Sequence, residues 1–171
     1  MSEQEKKPTP EEILESRKNE FKANLSGDLQ KNAIDFAEFM KNSSADDYLG
    51  ECVCFTVTNE VGDLHVFFGH QSIVCTSDFD FPISDELKNF VWSNVNICSY
   101  CGEKLPEGVT IQSNACRQGD NIIFGKKFNN LCNCPICFNN PDAETFDKIK
   151  KLVEVWKLCI DGLTLSLGKG L

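Results

Sequence analysis

Six cysteines fall within residues 98–137 of this chain: Cys98, Cys101, Cys116, Cys132, Cys134 and Cys137. The surrounding stretch, residues 94–139, is rich in glycine and asparagine and shows little sustained apolar periodicity. A segment without an amphipathic face has little to bury, so something other than a core of its own must fix it. Disulfides are one such device, and the rest of the sequence argues against them. The first twenty residues are charged throughout and hold no apolar run of the kind that directs secretion. No stretch approaches the eighteen or more apolar residues of a membrane span. The expected compartment is therefore the reducing cytoplasm, where stable disulfides are rare. Metal ligation, thiol chemistry and ordinary burial remain for the ten cysteines.

Spacing selects among these. Cys98-Ser99-Tyr100-Cys101-Gly102 is a C-x-x-C followed by glycine, a zinc-knuckle pattern. Two intervening residues let both sulfurs reach one ion, and the glycine admits the tight turn. A second C-x-x-C stands at Cys134 and Cys137. Two ligand tetrads satisfy zinc's preference for four closed thiolates. One is Cys98, Cys101, Cys134 and Cys137, the paired knuckles that spacing favours. The other is Cys98, Cys101, Cys116 and Cys132. Zinc is the expected ion, with an iron–sulfur cluster as the main alternative for four thiolates. Cys75 and Cys159 read as buried thiols, and Cys52 and Cys54 as small, half-buried side chains on one strand face.

Around this segment the pattern is that of one α+β domain over residues 9–163, between a polar tail (1–8) and a flexible tail (164–171). Thr9-Pro10-Glu11-Glu12 opens a helix with a capping box and proline at its first position. Ile13, Leu14, Arg17 and Phe21 form its stripe. Leu29, Ala33, Phe36, Ala37 and Met40 mark a second helix. Val53, Phe55 and Val57, then Leu64, Val66 and Phe68, alternate as strands, and 72–77 completes an expected three-stranded antiparallel meander. Ser84 starts a short helix carrying Leu87, Phe90 and Val91. Residues 122–124 and 135–138 have the composition of short strands. Asn140-Pro141-Asp142 opens a terminal helix with Asn140 as cap. Its stripe of Phe146, Ile149, Val153, Trp156 and Ile160 should lie on the sheet, and Asp161-Gly162 should end it. Residues 94–139 read as a metal-clamped insert, in which the ion substitutes for a missing core. Structural zinc sites contribute on the order of 10 kcal/mol or more of apparent binding free energy, so its loss should be disruptive.

Charge and motifs narrow the function. The formal charge is −9, and an acidic surface repels phosphate backbones. Locally, Lys104, Arg117, Lys126 and Lys127 barely exceed Glu103, Glu107 and Asp120, and four thiolates around zinc add further negative charge. Nucleic acid is therefore not the expected partner; a small molecule or a protein is. The two histidines, His65 and His70, stand outside any ligand motif, and no G-x-S-x-G, H-E-x-x-H or phosphate loop occurs. The chain reads as a binding or regulatory module, with Phe67, Phe79, Phe81 and Trp92 as candidate lining residues and no catalytic residue assigned. The enzymatic alternative is thiol–disulfide exchange at a C-x-x-C. Such a motif should open a helix after a buried strand, whereas Cys98 leads into a loop containing Gly102, Pro106 and Gly108.

Several stretches also carry a resemblance: Trp92-Ser93-Asn94-Val95-Asn96, Cys101-Gly102, Ile123-Phe124-Gly125-Lys126-Lys127-Phe128, Leu131-Cys132 and Asn140-Pro141-Asp142-Ala143-Glu144-Thr145. Together, over about residues 50–160, they resemble a group of uncharacterised bacterial proteins. Those proteins are built as helix, small sheet, cysteine cluster and terminal helix, and no activity is established for them. The resemblance implies a cluster on Cys98, Cys101, Cys116 and Cys132. The longer insertion between Cys101 and Cys116 departs from the group.

Overall fold

The computed structural model describes residues 8–43, 53–58, 62–68, 83–97, 121–129 and 131–167. Cys52, Cys75, Cys98, Cys101 and Cys116, His70, Phe79, Phe81 and the expected strand at 72–77 lie outside the described residues.

Two helices open the fold, α1 (Pro10–Asn24) and α2 (Gly27–Asn42). The expected capping box is present: Glu12 N–H donates to Thr9 Oγ1 and Thr9 N–H to Glu12 Oε2. Gln30 closes the other end of α1. Its Nε2 donates to Leu25 O at 2.6 Å, and more weakly to the Lys22 and Phe21 carbonyls. Lys18–Glu38 (2.6 Å) and Lys41–Glu11 (3.0 Å) tie the two helices along their length.

Strands β1 (Val53–Thr58) and β2 (Asp63–Phe68) form an antiparallel hairpin. Gly62 at its turn has φ +71°, and a Cβ there would come within 3.0 Å of Asn24 O. Helix α3 (Asp85–Ser93), capped by Ser84 Oγ accepting from Leu87 N–H, leads into β3 (Val95–Ile97). A separate hairpin follows, β4 (Asn121–Ile123) and β5 (Lys126–Phe128), then β6 (Leu131–Asn139) and α4 (Ala143–Leu167). The sheet order is β1-β2-β6-β3, antiparallel throughout. Leu64, Val66, Phe68, Ile136 and Phe138 are buried on one face. Phe21, Phe36, Met40, Phe146, Ile149, Val153 and Trp156 of the helices join them in the core.

The architecture is thus α+β, with the terminal helix on the sheet, and several expectations change in detail. The strand beside β2 is β6, so the sheet is no sequential meander. The segment 94–139 is no insert in its second half, because β6 is an inner strand and contributes buried Leu131, Ile136 and Phe138. Ile123 and Phe124 of the β4–β5 hairpin are buried too. Helix α4 does not stop at Gly162 but continues to Leu167, so the expected flexible tail is helical over 164–167. One glycine costs a helix only about 1 kcal/mol and does not end it.

The start of α4 is also displaced. Asp142, not Asn140, caps it: Thr145 N–H donates to Asp142 Oδ1 at 2.8 Å, and Phe146 N–H to Asp142 O at 2.9 Å. Asn140 instead adopts φ +46° and fastens the end of β6 to β2. It accepts from Leu64 N–H at 2.8 Å, donates its amide to Asp63 Oδ1 at 2.7 Å, and donates its N–H to Leu64 O at 2.7 Å. Pro141 is buried.

Candidate metal centre

The backbone determines which cysteines the fold brings near each other. Strand β3 ends at Ile97, the residue before Cys98, and Ile97 is the register partner of Leu131, the residue before Cys132. The residue that precedes the first C-x-x-C therefore lies beside the start of β6.

Cys134 and Cys137 are placed differently. Both lie in β6, whose path is extended from Leu131 to Asn139. Strand backbone, with no turn, joins them. A shared zinc, with Zn–S bonds of about 2.3 Å, needs its sulfurs less than 4 Å apart. The second C-x-x-C thus has no knuckle turn.

The pairing of β3 with β6 explains part of this local geometry. Val95 pairs with Ile136 and Ile97 with Leu131, so a two-residue step on β3 faces a five-residue step on β6. The surplus forms an irregularity between Leu131 and Ile136, a stretch that includes Pro135, which has no N–H to offer a ladder and is buried. The irregularity keeps both Leu131 (1% exposed) and Ile136 (0%) in the core despite their odd separation. Beyond it, Cys137 N–H donates to Asn94 O at 3.1 Å. Cys137 is half-buried and pairs in register with Phe67 of β2, away from the core face.

Of the six candidates, Cys132, Cys134 and Cys137 are therefore located on one strand, and Cys98 follows in sequence the last residue of the strand beside it. Cys101 and Cys116 cannot be added, since they lie outside the described residues. Among the described residues, no three His, Cys, Asp or Glu side chains converge as metal ligands.

Sequence reasoning passed over His65. Its Nδ1 lies 2.5 Å from Asn139 Oδ1, a contact that depends on β2–β6 pairing across more than seventy residues and carries no local signal. Trp92, a candidate lining residue, is half-buried: its Nε1 donates to Ile123 O at 2.8 Å, and Lys126 Nζ sits 5.2 Å from its ring centroid. Helices α2 and α4 are parallel, as the contacts Phe36–Phe146 and Lys157–Ser43 O show. Their first turns border a cleft of about 560 Å³ lined by Asp28, Leu29, Lys31, Asn32, Pro141 and Glu144, among others. Among the described residues, no helix is long and apolar enough to cross a membrane.

No family model, curated protein or solved structure matches the chain.

Proposed function

We propose that this chain is a zinc-stabilised binding module of the cytoplasm, with one ion tying the segment that follows β3 to the start of β6. The supporting observation is the Ile97–Leu131 pair, which brings the polypeptide leading into Cys98 and Cys101 alongside that leading into Cys132. It favours the set Cys98, Cys101, Cys116 and Cys132 over paired knuckles, because strand backbone and no turn joins Cys134 to Cys137. The same strand backbone weighs against dithiol chemistry at that pair, because a redox C-x-x-C opens a helix. Nor does Cys98 follow a buried strand, as a redox motif should, for Ile97 is 50% exposed on an edge strand. The cleft between α2 and α4 has the volume of a small-molecule site.

Elemental analysis of desalted protein, with single serine variants, tests the reading. One zinc per chain is expected, lost in Cys98→Ser and Cys132→Ser and kept in Cys134→Ser. Metal-free wild-type protein, or full occupancy in Cys98→Ser, would overturn it. A visible absorption band and iron in place of zinc would substitute an iron–sulfur cluster at the same ligands.

A further inference from the structure

The outer face of the sheet carries a second set of donor atoms. His65 on β2 and Asn139 on β6 are register partners, with Nδ1 and Oδ1 2.5 Å apart. Two residues back along β6, Cys137 donates its Sγ–H to the same oxygen at 3.5 Å. One carboxamide oxygen, with two lone pairs, thus gathers an imidazole and a thiol. The two distances place the sulfur within about 6 Å of the ring nitrogen. Leu64, Val66 and Phe68 are buried on the core side of β2, so His65 belongs to the opposite face, where it and Cys137 are half-buried.

We propose that His65, Cys137 and Asn139 form a second metal site, a mixed nitrogen–sulfur–oxygen set for a zinc-class divalent ion, separate from the thiolate centre. Ligand atoms around such an ion, with bonds of about 2.0–2.3 Å, stand roughly 3.3–3.8 Å apart. The sulfur–oxygen separation already has that length, and side-chain rotation brings the imidazole to it. Binding breaks the S–H bond and releases that proton to solvent. Nδ1, which donates its proton to Asn139 Oδ1 in the metal-free contact, gives that proton up to ligate while Nε2 takes one from solvent, so the imidazole is neutral in both states. Three protein donors, one of them a weak amide oxygen, leave a position for water. The site is therefore weaker than a closed four-thiolate centre. Cys54 is also a register partner of Phe67, from the β1 side. Two strand spacings, about 9.6 Å, separate it from Cys137, too far for both thiolates to share the ion.

The test is a cobalt(II) titration of the full chain already holding its tight metal, read by the thiolate-to-cobalt charge-transfer band. A second equivalent is expected in the wild type. His65→Gln and Cys137→Ser should each weaken it at least tenfold, and Asn139→Ser about tenfold, with unchanged far-ultraviolet circular dichroism. Cys98→Ser should remove the tight metal and leave the cobalt site. The proposal is overturned if the wild type takes up no second equivalent, if His65→Gln binds cobalt as the wild type does, or if Cys98→Ser abolishes both sites. A cobalt site dependent on His65 and Cys137 in a protein with no tight metal would sustain this inference and refute the thiolate centre.

Discussion

Phe124 turns the β4–β5 hairpin with φ +47°, next to Gly125 at +82°. Left-handed backbone at both central positions matches the twist of the flanking strands, but it costs an L-residue about 1–2 kcal/mol. The phenyl ring offsets that cost: Phe124 is 7% exposed, its ring centroid 6.3 Å from that of Trp156. Phe124→Ala should therefore destabilise the protein by about 3 kcal/mol in urea denaturation. Phe124→Gly should be milder than alanine by about 1 kcal/mol, the reverse of the usual ranking. Asn140 is the parallel case, and Asn140→Ala, which strips its clasp on β2, should cost about 2 kcal/mol. Neither role was legible locally. The sequence Ile123-Phe124-Gly125 resembles a strand end, and Asn140-Pro141 resembles a helix start, because only tertiary pairing tells either residue to take positive φ.

At the scale of elements, the two N-terminal helices were the most readable, since caps and 3.6-residue stripes are local codes. Beside their shared apolar core, surface ion pairs also join them. Hydrogen bonding to Lys18 holds the Glu38 carboxyl below its ordinary value, and Lys41 does the same for Glu11. A depressed carboxyl stabilises the fold fully above its ordinary value near 4.5. That contribution fades as pH falls through the lower folded value. Lys18 is raised by the same bond, so its share lasts below 10.5 and is lost as alkali passes the raised value. The melting-temperature difference between wild type and Glu38→Gln should accordingly be small, constant near neutrality, and vanish in acid. Gln30→Ala should speed amide exchange over the last turn of α1 without altering β6. The strands were less readable: alternation located β1 and β2, whereas the neighbour of β2 depends on register across more than seventy residues.

For the whole molecule, the cysteine segment divides in two. Residues 121–139 are held by the core, with Ile123, Leu131, Ile136 and Phe138 buried. Aromatic contacts join Phe90 to Phe138, Phe138 to Phe68, and Phe68 to Trp156. Removal of the proposed zinc by a chelator should therefore accelerate hydrogen exchange over 98–120 and leave β6 amides protected, a gentler outcome than composition alone implies. Protection lost along β6 would instead make the ion part of the main fold. The candidate site was legible as a set of residue types. Their grouping was not, because C-x-x-C spacing says nothing about whether its backbone turns or extends.

The inner position of β6 also bears on the order in which the protein can assemble. As the chain emerges from the ribosome, the edge of β2 that β6 covers has no partner until residues 131–139 have been made. During that interval Leu64, Val66 and Phe68 lack their covering neighbours, and an open strand edge invites foreign strands. Truncations ending before residue 131 should be insoluble when expressed, whereas the full chain should refold from dilute denaturant, with β6 amides gaining exchange protection last.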